Sequence, residues 1–136
     1  MKRLGIVLLA ALSLCSESLL AAGAVSSWHA SAASLRVAVA GRDTPSALMT
    51  PPAMARGRSL EQVRWQFQLP MAAHLQAWLC HPQRCVELDS RSGVGRGLTR
   101  GLAGLDAGQP LHFRFHLAPG MPAVEVRDLQ LFVHYR

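Results

Sequence analysis

Residues 75–89 read LQAWLCHPQRCVELD, two runs of alternating character on either side of the four residues between Cys80 and Cys85. If the two cysteines face each other across a hairpin, the pairing of their neighbours is fixed, and directly opposed side chains point to the same face. One face then receives Ala77, Leu79, Val86 and Leu88, and the other receives Gln76, Trp78, Glu87, Asp89 and both cysteines. Because the residues sort into an apolar and a polar face, the pattern predicts an antiparallel hairpin closed by a disulfide.

The two cysteines could instead bind a metal, together with His74 or His81. Zinc sites usually contain two close pairs of ligands, and this segment supplies only one such pair. The disulfide is therefore the favoured interpretation, and we expect no metal. In the chain-entropy description, closing so short a loop stabilises the fold by about 2 kcal/mol.

The first residues have the order of a secretory signal peptide. The basic residues Lys2 and Arg3 come first, an apolar run occupies residues 4–14, and the small residues AGA stand at 22–24. This is the n-region, h-region and A-x-A pattern of an exported protein, and the apolar run is shorter than the roughly 20 residues that span a bilayer. We expect residues 1–24 to be removed, with cleavage after Ala22 as the alternative.

Removal of residues 1–24 changes the charge and cysteine balance. The 14 basic and 8 acidic residues become 12 and 7, a net charge of +5, and every remaining fixed positive charge is an arginine. Cys15 leaves with the signal, so an even pair of cysteines remains for an oxidising compartment, where disulfides persist. A lipoprotein signal ending at Cys15 is the alternative, which the bulky Leu14 before it disfavours.

The remaining chain, residues 25–136, is long enough for one domain with a thin core. Its positive charge favours acidic partners and says nothing about fold. Arginine-rich loops without interleaved aromatic residues are weak evidence for nucleic acid, and export argues further against it. We expect a periplasmic protein with no stable membrane insertion after signal cleavage.

Short alternating segments separated by glycine and proline predict strands at residues 35–39, 62–69 and 111–117, and one or two more over 124–135. No window predicts an amphipathic helix. We therefore expect an all-β fold, a small antiparallel β-sandwich stapled by one hairpin disulfide. Residues 25–33 are interpreted as a loose lead-in, residues 41–57 as a loop with an edge strand near Leu48 and Met49, and residues 90–108 as a long irregular loop.

Four residues are candidates for contact with a partner. The hairpin register leaves Trp78 on the polar face beside Glu87, where it is either covered by a loop, such as the segment around Trp28, or exposed as an aromatic anchor of the kind enriched at interface hot spots. Arg96 and Arg100 lie in the glycine-rich segment and would present positive charge to a partner.

Catalytic chemistry is not indicated. Glu87 and Asp89 share a face, but nothing nearby is apolar enough to bury them as an acid–base pair. His112 and His116 share a strand face roughly 13 Å apart, too far to bind one metal. No G-x-S-x-G elbow occurs, and the glycines of residues 93–97 are not followed by a helix that could hold a phosphate. We expect the protein to have no enzymatic activity and to bind no cofactor.

The sequence resembles a known family at three places. The hairpin LCHPQRCVELD at residues 79–89, followed by Ser92 and Gly93, resembles the signature of the flagellar FlhE family. The ending VHYR at 133–136 and the tryptophan soon after the signal peptide, Trp28, are also similar to that family. The hairpin and the last strand carry the specific part of the resemblance, and residues 40–60 and the glycine-rich loop have no counterpart in it.

The resemblance implies a periplasmic β-sandwich that acts with flagellar export or rod proteins. Family members are linked either to keeping protons from leaking through the export gate or to a chaperone activity against premature polymerisation. No catalytic residue carries over, and the pair Cys80 and Cys85 carries over as a staple. A different class of function, a carbohydrate or peptidoglycan-binding module, is suggested by Trp28, Trp65 and Trp78 and by the positive charge.

Overall fold

The computed structural model describes residues 25–89 and 95–136, so the expected signal peptide lies outside the described residues. The regular structure within these ranges is β-strand, with one short 3-10 turn at Ala53–Ala55. The strands are β1 (Ser26–Ala32), β2 (Leu35–Val37), β3 (Asp43–Pro45), β4 (Leu60–Gln68), β5 (Leu75–His81), β6 (Arg84–Leu88), β7 (Gly95–Thr99), β8 (His112–Leu117) and β9 (Val124–Tyr135).

The strands form two antiparallel sheets packed as a sandwich, which confirms the expected fold class. The first sheet has the order β1-β9-β4-β7, with β2 pairing a further part of β9, and the second has the order β3-β8-β5-β6. Their facing sides bury a single apolar cluster. Inside it the Phe67 ring of β4 meets the rings of Phe113 and Phe115 of β8 edge-on, at centroid distances of 5.6 and 5.2 Å.

The cysteine hairpin has the register expected from the sequence. Cys80 pairs with Cys85 and Leu79 with Val86, and the two sulfurs form a disulfide. Leu79 and Leu88 are buried, Val86 packs against the core, and Glu87 is exposed. β5 ends one residue later than expected, at His81, and β6 begins one residue earlier, at Arg84. Only Pro82 and Gln83 therefore form the turn.

Residues 25–33 are not a loose lead-in. Residues 26–32 form β1, which pairs along its whole length with β9, from Ser26 opposite Tyr135 to Ala32 opposite Leu129. The segment has weak strand propensity because serine and alanine dominate it, and its one large apolar side chain, Trp28, is buried. Pairing with a long central strand supplies what the local sequence lacks.

The glycine-rich segment also contains a strand that the alternation pattern did not show. Gly95 and Gly97 occupy inward positions of β7, opposite Phe67 and Trp65 of β4. A Cβ atom at Gly97 would lie 2.8 Å from Cζ2 of Trp65, and one at Gly95 would overlap the Phe67 ring. The aromatic rings of β4 therefore cover the core side of β7, and only glycine leaves room for them.

Two smaller points concern strand boundaries. Residues 43–45 form β3 at the edge of the second sheet, while Met49 contributes only an isolated bridge to Leu111 where an edge strand was expected. The C-terminal segment is one strand, β9, within the expectation of one or two, and its Asp128 has a positive φ of 51°. Asp128 lies between the part of β9 that pairs with β1 and the part that pairs with β2.

The loop over residues 100–110 connects the ends of both sheets. Trp28 of β1 donates a hydrogen bond from Nε1 to the carbonyl of Ala107 (3.2 Å), and the buried His81 of β5 donates from Nε2 to the carbonyl of Asp106 (3.0 Å). Nδ1 of His81 accepts from the backbone N–H of Gln83, so the two hydrogen bonds of this ring assign its hydrogen to Nε2. The loop therefore forms hydrogen bonds to both sheets at one end of the sandwich.

Candidate partner-binding surfaces

Trp78 lies on the outer face of the second sheet, as the hairpin register predicted. It is half-buried and pairs with Glu87 of β6 on one side and with Arg114 of β8 on the other. The lead-in does not cover it, because Trp28 lies in the other sheet. Its cover is the guanidinium of Arg114, whose carbon stands 4.9 Å from the ring centroid in a cation–π contact.

Arg114 links three groups on this face. Besides stacking on Trp78, its Nε lies 3.3 Å from Oδ2 of Asp43, and one terminal nitrogen lies 3.8 Å from Sγ of Cys85. The approach to Asp43 is an ion pair without hydrogen-bond geometry, since the buried Nε has no hydrogen-bond partner. Asp43 also accepts a hydrogen bond of 2.9 Å at Oδ1 from Nδ1 of His116.

His112 completes the outer row beside the disulfide, opposite Cys80. Partial burial, and secondly the positive charge of Arg114, lower the pKa of His112 below its ordinary value of 6.5. The ring is therefore neutral through most of the physiological range. With Arg114 committed to Asp43, this face presents fixed side chains and little free positive charge.

Arg96 and Arg100 belong to a different surface. Arg96 lies in β7 opposite Gln66 of β4, and Arg100 follows the end of that strand. Both are exposed and sit with the first sheet, whereas Trp78 and Glu87 sit on the outside of the second. The four candidate residues are therefore divided between two surfaces, and the fold does not bring them together.

The outer face of the first sheet carries functional candidates that sequence reasoning missed. One row crosses four strands, with His29 of β1 opposite Phe132 of β9, Phe132 opposite Arg64 of β4, and Arg64 opposite Leu98 of β7. Leu98 and Phe132 are 45% and 37% exposed, high for side chains of this size inside a sheet. A shallow groove of about 650 Å³ lies over the part of this row formed by Arg64, Leu98 and Phe132.

One sequence signal for this face existed at Phe132. In the last strand, Leu129, Leu131, Val133 and Tyr135 take the inward positions, so Phe132 is an aromatic residue at an outward position. An aromatic side chain out of phase with its own strand is a candidate contact residue. The rest of the row could not be assembled from sequence, since its members stand some 34 residues apart on four strands.

The acidic and histidine side chains considered for catalysis or metal binding lie apart from one another or are exposed. Glu87 is in β6, Asp89 follows that strand, and both are exposed. His112 and His116 face different partners, Cys80 for the first and Asp43 for the second. Within residues 25–89 and 95–136, no three histidine, cysteine or acidic side chains converge to hold a metal ion, and no helix is long and apolar enough to cross a membrane.

The three tryptophans do not form a stacking platform for sugars. Trp28 and Trp65 are buried, at 6% and 4% exposure, and they help form the core of the first sheet. Trp78 is the one tryptophan with substantial exposure, and a guanidinium occupies part of its face. The feature that suggested carbohydrate binding is thus accounted for by packing.

Comparison with known proteins places the chain among flagellar proteins. The model of the family described as "Flagellar protein FlhE" matches residues 34–136, which include eight of the nine described strands. The chain belongs to the FlhE family. The family resemblance of the cysteine hairpin and the last strand is confirmed.

Individual members of the family show how far the similarity extends. FlhE of Escherichia coli is 31% identical over 114 residues, covering 80% of this chain and 84% of that protein. FlhE of Salmonella typhimurium is 40% identical over 79 residues, so the match spans 54% of this chain and little more than half (58%) of that relative. A crystal structure of FlhE superposes with a TM-score of 0.70 at 30% identity, covering 82% of this chain and 97% of that one.

Proposed function

We propose that this chain is exported to the periplasm and acts there as a flagellar accessory protein that binds a component of the export apparatus or rod. In this role it prevents either proton leakage through the export gate or premature polymerisation of flagellar subunits. The observation that carries the proposal is the match of residues 34–136 to a family of flagellar proteins. The order of residues 1–24 supports export.

The geometry favours binding over chemistry as the mode of action. β6 ends the second sheet and β7 ends the first, and within the described residues neither has a strand on its outer side. An unpaired edge offers backbone N–H and C=O groups to an extended segment of another protein, a common route to transient recognition. A chaperone could occupy the strand of an unassembled subunit in this way.

Export is tested by fractionating cells that express the full chain with a C-terminal tag. We expect the protein in the osmotic-shock fraction, with an N-terminus at Val25 by sequencing and both cysteines unreactive toward a thiol reagent. Recovery of the uncleaved chain with the cytoplasmic fraction would refute the export step.

Flagellar function is tested in a clean deletion strain of the source bacterium, complemented in trans as the control. A pH-sensitive fluorescent protein in the cytoplasm reports proton leakage, and electron cryotomography of the envelope reports filaments formed in the periplasm. Acidification without periplasmic filaments supports gate sealing, and filaments without acidification support the chaperone role. Normal motility, cytoplasmic pH and envelope morphology in the deletion would overturn the proposal, and saturable binding to purified sacculi would favour the peptidoglycan-binding alternative.

A further inference from the structure

The outer face of the first sheet combines apolar side chains with unneutralised positive charge. We call the groove residues Arg64, Arg96, Leu98 and Phe132 the basic groove. His29 stacks on Phe132 with ring centroids 4.5 Å apart and supports the aromatic ring from the side of β1. The cross-strand pairs fix Phe132 and Leu98 on either side of Arg64.

The two arginines of the basic groove have no acidic partner in the described part of the chain. The ion pairs found there use Arg114, His116, Arg127 and Arg136. The groove is lined by glutamine, arginine, histidine and apolar side chains, with no aspartate or glutamate among them. A partner that brings carboxylates and an apolar side chain would complement both features.

The neighbouring edge of β7 narrows the class of partner. β7 is the last strand of its sheet, and residues 95–99 pair only with β4 among the described strands. Arg96 and Leu98 project from this strand toward the groove, so the groove and the unpaired edge adjoin. A polypeptide can satisfy edge backbone groups while its alternate side chains reach the groove, which lipid headgroups and sugars cannot do in the same regular register.

We infer that the basic groove docks an extended acidic segment of a partner protein, in which every second residue faces the groove and these groove-facing positions include both carboxylates and aromatic or aliphatic side chains. The segment adds to the free edge of β7. Its groove-facing carboxylates meet Arg96 and the end of the long Arg64 side chain, and its groove-facing apolar side chains pack on Leu98, while Phe132, two strands further from the edge, lines the far side of the groove. This inference rests on the proposed binding function and specifies the surface and the chemistry of the partner.

The binding chemistry is tested with a fluorescein-labelled synthetic peptide in which every second residue is glutamate or phenylalanine in turn and threonine stands between them, measured by fluorescence anisotropy on the oxidised mature chain. We expect saturable binding that weakens with added salt. Arg64→Glu and Arg96→Glu should each weaken binding about tenfold or more. Arg42→Glu is the matched control, because Arg42 is an exposed arginine next to β3 in the other sheet; it should change binding less than about twofold. A peptide with lysine in place of glutamate should not bind.

Three results would overturn the inference. They are the absence of saturable binding to the acidic peptide, equal losses in Arg42→Glu and the groove variants, and binding to phosphatidylglycerol vesicles with none to the peptide. Unfolding in urea, measured for each variant, separates loss of the groove from loss of the fold. Because all substituted side chains are on the outer surface, midpoints close to that of the unaltered protein are expected.

Complementation of the deletion strain separates this inference from the proposed function. If the deletion has a flagellar defect that Arg42→Glu corrects and the Arg64→Glu/Arg96→Glu double variant does not, both stand. If the double variant corrects the defect fully, the basic groove is not the docking surface, although the flagellar function stands. If the deletion has no defect, the proposed function fails, whatever the peptide measurement shows.

Discussion

Arg114 shows how one side chain can decide whether an aromatic residue is a binding anchor. Its guanidinium lies over the Trp78 ring while its Nε faces Asp43, so the arginine is held from two directions. A protein partner that used Trp78 would first have to displace this cation. For this reason we regard the Trp78 face as a fixed structural surface and the basic groove as the better candidate for docking.

Replacing Arg114 by alanine should uncover Trp78. Loss of the cation–π contact is expected to cost about 1 kcal/mol of unfolding free energy. Acrylamide should then quench a larger share of the tryptophan fluorescence, because Trp78 becomes accessible. Trp28 and Trp65 stay buried and do not contribute to the change. Arg127→Ala, which removes an exposed ion pair with Glu125, serves as the control and should leave quenching unchanged. Equal quenching in both variants would contradict the assigned contact.

His112 should make the fold sensitive to mild acid. Its pKa in the folded protein is lowered by partial burial and by Arg114, so near pH 6.5 the unfolded chain binds more protons than the folded one. The free energy of unfolding therefore falls as the pH drops below about 6.5 and levels off beneath the folded-state pKa. Urea unfolding between pH 8 and pH 5 measures this slope.

The variant His112→Gln should show a smaller slope over the same range. Asp106 does not confuse the measurement, since its pKa is lowered from 3.8, chiefly by a hydrogen bond from the backbone N–H of Gly108. The stability that Asp106 contributes is present above about pH 3.8 and is lost as the pH falls from there through its lowered pKa, which is below the measured range. An unchanged slope in His112→Gln would show that another group carries the acid sensitivity.

At the scale of single elements, the hairpin was predictable because its information is local. Two cysteines five positions apart fix a register, and the alternation of four apolar residues then fixes which side faces the core. The strands around Trp65 and Phe115 were predictable for the same reason. β1 and β7 were not, since serine, alanine and glycine carry little local signal and the large side chains that complete them belong to other strands.

Replacing both cysteines by serine should weaken the hairpin without unfolding the protein. The disulfide is expected to contribute about 2 kcal/mol through the short loop it closes. β5 remains paired with β8, and Leu79 and Leu88 remain apolar, so the sandwich should persist. Urea unfolding with and without dithiothreitol measures the effect, and the Cys80→Ser/Cys85→Ser variant should not respond to the reductant. A loss well above this size would mean that the disulfide also shapes the native fold.

Gly97→Ala tests the packing of Trp65 over β7. The added methyl would overlap the indole ring, and we expect a loss of about 1–3 kcal/mol in unfolding free energy. In a Trp65→Phe background, where Cζ2 is absent, the same substitution should cost less, and the difference is the coupling between the two positions. Leu98→Ala is the control on the outer side of the same strand. Additive effects would show that the ring does not cover Gly97.

For the molecule as a whole, the loop over residues 100–110 is expected to control how tightly the two sheets are joined. His81→Ala removes a buried donor to the Asp106 carbonyl and an acceptor for the N–H of Gln83. We expect a loss of about 1–3 kcal/mol, with faster amide hydrogen exchange at Leu105 and Ala107. His74→Ala, at an exposed position before β5, is the matched control. Unchanged exchange in His81→Ala would exclude this role for the loop.

The candidate docking surface depends on the arrangement of the whole molecule. For this reason only one of its residues, Arg96, could be proposed from the sequence. Arg96 was proposed from its glycine-rich surroundings, and it does line the basic groove. Arg64, Leu98 and Phe132 become neighbours only through the strand order β9-β4-β7. That order is set by pairings between distant segments, and no local pattern contains it.

The pairing of β1 with β9 has a consequence for biogenesis. A polypeptide threaded through a membrane channel from its amino end delivers β1 first and β9 last, so residues 26–32 wait for their hydrogen-bonding partner until nearly the whole chain has crossed. The first sheet is built around β9 and cannot close earlier. If the chain is exported as proposed, this strand order keeps the first sheet from closing before translocation is nearly complete.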